Sequence, residues 1–84
     1  MSFANPQFQQ YVTSGVNLGD VPCAPGKSVV GGGVKPSSAN QLVNASYPSD
    51  GSGTGTPGQT GWSGVVKNTG TTPQTFTVYA ICAS

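Results

Sequence analysis

The sequence predicts an all-β protein: a small antiparallel β-sandwich or barrel with an extended N-terminal arm. Its bulk comes from Val, Thr, Tyr and Phe, residues that fit a half-buried pleated surface. The apolar runs are short and are cut by 13 glycines and 7 prolines, the punctuation of turns. The C-terminal run alternates with period two, and no stretch carries a helical period longer than a turn.

Taken in order, residues 1–10 are Gln/Asn-rich, with Phe3 and Phe8 as their apolar anchors, and read as an arm. A single β-domain is expected over residues 11–84. Residues 11–18 predict a first strand interrupted at Gly15, and Pro22 and Pro25 around Cys23 make a rigid turn. Residues 27–35 predict a second strand through three consecutive glycines, where backbone or an aromatic ring can approach closely. Residues 41–47 form a third strand, ended by Pro48. The stretch 48–60 has no apolar residue and reads as the longest and most exposed loop. Residues 62–67 predict a fourth strand and residues 74–83 a fifth. In the fifth, Phe76, Val78, Ala80 and Cys82 share one face, with Thr77, Tyr79, Ile81 and Ala83 on the other. Apolar residues on both sides predict burial on both sides, the second cover being the arm or another subunit.

Composition narrows the chemistry. There is no His, Arg or Glu; the charged residues are Asp20, Asp50, Lys27, Lys35 and Lys67, for a net charge of +1. Acid–base catalysis needs a group titrating near neutrality, usually His or a buried Glu. Metal catalysis needs clustered ligands. The expectation is a protein that is not an enzyme, takes no cofactor or metal, and works through its surface. Scattered lysines predict no nucleic-acid partner, and no apolar run of membrane-spanning length predicts no membrane partner. Low charge leaves little repulsion between copies and suits close packing in an assembly.

Motif-like spacings reduce to structure. Gly26-Lys27-Ser28 ends like a phosphate-binding loop but has Val21 at the first glycine position and precedes a strand. Gly53, Gly55 and Gly58 match a dinucleotide spacing, but Pro57 interrupts it and no helix follows. Asn44-Ala45-Ser46 is a glycosylation sequon inside a predicted strand. Ser63 and Lys67 share a strand face roughly 13 Å apart, too far for a nucleophile–base pair. Tyr47 and Trp62 have two readings: caps over Gly31–Gly33 in the core, or a stacking platform for a sugar ring.

The 2 cysteines, Cys23 and Cys82, lie toward opposite ends of the chain and most simply pair with each other; separate buried thiols are the alternative. Closing so long a loop would stabilise the fold by about 4 kcal/mol on the chain-entropy model. That matters because a chain of this length buries only about 60–65% of its unfolded surface.

Four segments together resemble a family pattern: Cys23-Ala24-Pro25-Gly26-Lys27-Ser28-Val29-Val30-Gly31-Gly32-Gly33, Ser46-Tyr47-Pro48, Gly61-Trp62 and Thr77-Val78-Tyr79-Ala80-Ile81-Cys82-Ala83. The pattern is similar to that of small β-domains in bacterial secreted proteins and phage structural proteins, except that Ala24-Pro25 stands in the reverse of the common order. The resemblance covers residues 23–83, implies that the two cysteines pair, and implies a phage or a secreted context. The N-terminus has neither the basic nor the apolar region of a secretory leader, which favours a virion protein oxidised after lysis.

The resulting expectation is a capsid decoration (cement) protein on the virion surface. It would self-associate, as a trimer, and bind a major capsid protein, with Phe3, Phe8, Tyr79 and Ile81 as subunit contacts. The alternative is a receptor- or carbohydrate-binding module of a phage fibre or secreted protein, using Tyr47, Trp62 and the 48–60 loop on a host glycan.

Overall fold

The computed structural model describes residues 7–83. It has six strands: β1 (Gln7–Thr13), β2 (Val16–Pro22), β3 (Ser28–Pro36), β4 (Gln41–Ser49), β5 (Gly61–Asn68) and β6 (Gln74–Ala83). They form two three-stranded sheets, in the orders β1-β6-β3 and β2-β5-β4, and every pairing is antiparallel. This is a small β-sandwich. Only β4 and β5 are sequential neighbours in one sheet; the connections β1–β2, β2–β3, β3–β4 and β5–β6 all pass from one sheet to the other.

The first predicted strand is therefore two strands. Gly15, at φ +80°, turns the chain out of one sheet and into the other. The Ser14 N–H donates to Asn17 Oδ1 at 2.7 Å, and Asn68 N–H donates to the Gly15 carbonyl at 2.7 Å, holding the crossover in place. Residues 7–10, read as arm, belong to β1: Gln7 to Thr13 pair without a break with Ala80 to Gln74. Phe3 and the rest of residues 1–6 lie outside the described residues. The third strand runs on through Pro48 to Ser49, because β4 is a sheet edge where proline's missing N–H is tolerated.

The core lies between the sheets and is built on β6. Phe76, Val78, Ala80 and Cys82 point inward and are buried, joined by Val21 and Val66. The core is thin because glycines on each sheet face aromatic rings from the other. Tyr11 of β1 crosses to Gly19 of β2, where an added Cβ would come within 2.5 Å of its ring. Tyr11 also stacks on Phe76, with ring centroids 5.6 Å apart. In the opposite sense, Trp62 of β5 crosses to Gly32 of β3, where a Cβ would overlap the indole. Close sheet approach is the physical use of glycine in these strands.

The far face of β6 is half-buried at Thr77, Tyr79 and Ile81. Among the described residues it is not roofed over. Residues 7–10 of the arm expected to cover it lie beside β6 as part of a neighbouring strand instead, because backbone pairing satisfies their N–H and C=O groups.

Candidate functional site

Three features of the described residues bear on what the surface can do. The first is the outer face of the β1-β6-β3 sheet. Register places Phe8, Tyr79 and Gly33 in one row across it, with Gln10, Thr77 and Lys35 in the next. Tyr79 lies over Gly33, where an added Cβ would meet the ring carbon bearing the hydroxyl at 2.7 Å, and Ile81 lies over Gly31. Phe8 is 71% exposed, Val12 63% and Val30 54%. Lys35 is the one charged residue among the described residues of these strands. Three of the four candidate subunit contacts, Phe8, Tyr79 and Ile81, thus come to one face. Beside them Gln10, Thr75, Thr77 and Lys35 line a shallow concavity of about 330 Å³.

The second feature is the loop from Asp50 to Thr60, and it is more tightly held than its composition suggests. Gly51, Gly53 and Gly55 all have positive φ (+73°, +91°, +74°), while Ser52 and Thr54 do not. This alternation turns successive backbone N–H groups toward one side, the geometry of an anion-holding nest. The anion is internal. Asp20 Oδ2 accepts from the N–H of Gly53 at 2.9 Å and of Gly55 at 3.3 Å, and its Oδ1 accepts from Ser49 Oγ at 2.6 Å. Asp20 is 8% exposed, so its carboxylate is satisfied by these donors rather than by solvent. Tyr47 closes the loop from the other side, donating its hydroxyl to the Gly55 carbonyl at 2.6 Å. The returning limb hydrogen-bonds elsewhere: Cys23 N–H donates to the Thr60 carbonyl at 2.8 Å and Val29 N–H to that of Gln59 at 2.7 Å.

Beneath this loop Ser63 is cross-strand from both Asp20 and Tyr47. Its hydroxyl is buried without a protein partner. Lys67, on the same strand, is exposed, so the two are in different surroundings as well as far apart. Asp50 at the loop entrance is exposed, and hydrogen bonds from Ser52 hold its carboxyl below the usual value.

The third feature is the staple. Cys23 and Cys82 form a disulfide with Cα atoms 5.9 Å apart and a sequence separation of 59. It ties the β2–β3 turn to the end of the central strand β6. Trp62, near it in the core, donates Nε1–H to Ser46 Oγ at 2.9 Å. Trp62 and Tyr47 point to opposite sides of their sheet, one toward Gly32 across the core and the other toward Gly55 on the outer side.

Alternation along residues 74–83 places Tyr79 and Ile81 on one face, but it does not reveal Val12 and Val30 as exposed residues beside them. Their signal was present only in retrospect of register: Val12 lies in the row of Thr75, and Val30 is the extra residue where the β3–β6 register shifts. The role of Asp20 was also missed. Its available signal was the spacing Gly51-x-Gly53-x-Gly55 together with a lone acid in an otherwise uncharged strand.

Fold and site define a small disulfide-stapled antiparallel β-sandwich whose outer β1-β6-β3 face carries a single charge, Lys35. No family model matches the chain, and no curated protein or solved structure matches it. Among the described residues no cluster of metal-ligating side chains occurs, and no helix is long and apolar enough to cross a membrane.

Proposed function

We propose that this chain is a structural protein of a phage particle, a capsid decoration protein that self-associates and binds the major capsid protein to stabilise the shell. The observation that carries the reading is the outer face of the β1-β6-β3 sheet. Phe8, Val12 and Val30 are more than half exposed there, Tyr79 and Ile81 are half-buried, and a single lysine supplies the charge. Small domains seldom leave such a face to water without a partner. Burying it between subunits would contribute about 25 cal/mol per Å² of apolar area, the term by which a bound shell protein opposes internal pressure. The resemblance of residues 23–83 to phage and secreted β-domains supports the setting.

Particles prepared without the protein test this directly. They should release DNA at a lower temperature than complete particles and still adsorb to cells normally. Loss of adsorption with unchanged thermal stability would instead identify a receptor-binding module. That second reading rests on Tyr47, Trp62 and the 48–60 loop, of which Tyr47 lies against the loop at Gly55 while Trp62 faces Gly32 across the core. Binding to the shell through apolar and backbone groups should also survive high salt, since screening acts on exposed charge pairs.

A further inference from the structure

We infer that the free edge of β1 is the self-association site, and that it pairs antiparallel with β1 of a second copy about a two-fold axis at Gln10. This deepens the self-association part of the proposed function and rests on it.

A two-sheet sandwich with three strands in each sheet has four edge strands, here β1, β3, β2 and β4. An edge presents unpaired N–H and C=O groups, and proteins that stay monomeric blunt such edges with charge, proline, bulges or covering loops. Three of the four edges are blunted in this way. β3 carries Lys35, Pro36 and an irregularity between Val29 and Gly31. β4 carries Pro48 and an irregularity between Val43 and Ala45. β2 ends at Pro22, and the loop binds over it, through Asp20 to Gly53 and through Gly51 against Pro22.

Among the described residues, β1 has none of these devices. Its sequence, Gln-Phe-Gln-Gln-Tyr-Val-Thr, contains no charge, proline or glycine, and its ladder with β6 runs through seven consecutive pairs without a shift. It is a straight, neutral strand, and its side chains Phe8, Gln9, Gln10 and Val12 are exposed.

The sequence of β1 is complementary to itself about Gln10. Antiparallel pairing centred there sets Phe8 of one copy opposite Val12 of the other, twice, with Gln10 opposite Gln10. Aromatic–β-branched pairs are among the favourable cross-strand neighbours, and like charges there would be unfavourable. Phe8 and Val12 are the two most exposed large apolar residues of the described chain, at 71% and 63%. A shift of the register by two residues would place both opposite glutamine or beyond the strand. The product is one continuous six-stranded sheet, with the Phe8–Tyr79 rows of both copies on one face. It is a pair of chains, not the trimer expected from the sequence.

The test uses the full chain with its disulfide intact, so that Gln10→Cys introduces the only free thiol. Under mild oxidation this variant should form an intermolecular disulfide much faster than Val30→Cys, an exposed position on the β3 edge. Sedimentation from micromolar to millimolar concentration should show a dimer of the parent chain, weakened about tenfold or more by Phe8→Lys with Val12→Lys, which sets like charges across the axis. Leu42→Lys, exposed on the other sheet, should leave the dimer intact. Equal cross-linking of the two cysteine variants, or a trimer, or a dimer indifferent to the two β1 lysines, would overturn the edge assignment while leaving self-association standing. A parent chain monomeric at millimolar concentration would overturn both. Should the double-lysine variant lose its fold by circular dichroism, the cross-linking comparison decides.

Discussion

Asp20 and Gly53, separated by 33 residues in sequence, are joined by a 2.9 Å hydrogen bond from the Gly53 N–H to the Asp20 carboxylate. With Gly55 and Ser49 donating to the same carboxylate, this turns a long polar loop into a fixed cover over the β2-β5-β4 sheet. A lone buried acid is costly when unpaired, so the loop and the acid depend on each other.

Replacing Asp20 by Ala should therefore loosen residues 50–56 before it unfolds the domain. Hydrogen bonds to a charged group contribute about 1.5–3 kcal/mol, and two backbone donors and one hydroxyl would lose their acceptor. Amide exchange at Gly53 and Gly55 should accelerate, and limited proteolysis should cut in this loop. Asp20→Asn keeps an acceptor and should cost less. Unchanged exchange at both glycines in Asp20→Ala would refute the latch.

Gly32→Ala should destabilise by about 1–3 kcal/mol, the usual cost of overpacking. The new methyl would collide with the Trp62 ring and with the Tyr79 carbonyl oxygen, a backbone atom that cannot rotate away. Chemical denaturation, with Trp62 fluorescence as the probe, measures the loss. By contrast Gly31→Ala, whose Cβ would meet only Ile81 Cδ1 at 3.9 Å, should cost less than half as much.

Removing the staple as the pair Cys23→Ala and Cys82→Ala should lower stability by about 4 kcal/mol, the closure entropy of a loop spanning 59 residues. For a domain this small that is a large share of the total. Thermal melts with and without reductant should separate correspondingly for the parent chain and coincide for the variant. Coincident melts for the parent would show the disulfide to be energetically idle.

Tyr11 supplies a pH dependence. Burial, as the largest cause, raises its phenol above the ordinary value of 10.0, with the backbone at Asp20 opposing the rise and the Asp20 charge adding to it. The neutral hydroxyl donates to the Asp20 carbonyl at 2.8 Å. Because the folded value lies above the unfolded one, the folded chain binds more protons between them. The contribution is complete below the unfolded pKa and is lost as pH rises through the folded one. Stability should accordingly fall from about pH 10 upward. Tyr11→Phe should cost about 1 kcal/mol at neutral pH, for one lost hydrogen bond, and should flatten that alkaline fall. An equally steep fall in Tyr11→Phe would assign it to other groups.

How much was legible can be judged strand by strand. Alternation in residues 74–83 was sufficient to place Phe76, Val78, Ala80 and Cys82 on one face, and all are buried. Gly31–Gly33 announced a close approach, and Trp62 and Tyr79 make it from opposite sides. The stretch 11–18 misled because strand propensity is continuous across Gly15, and nothing local says that two halves of an apolar run belong to different sheets. Residues 7–10 misled because a Gln-rich stretch with one apolar anchor reads as an extended arm, whereas an edge strand needs only backbone pairing and one good neighbour. The loop reads as exposed because its side chains are polar, and most of its residues are exposed; its anchoring is by backbone N–H groups, which composition does not record.

By itself, then, the sequence determined what depends on local periodicity and composition. That comprises the β class, the central C-terminal strand and the shortage of titrating groups for acid–base catalysis; the pairing of the two cysteines was the simplest of two readings, and the structure shows it. Only the tertiary structure decided which strands neighbour which, since pairing joins residues as distant as Gln7 and Ala80 and is chosen by the packing of whole sheets. It likewise decided that Asp20 is an anchor and that β1 is an unblunted edge. Both are relations between segments far apart in the chain, and they exist only once the sheets have closed on their shared core.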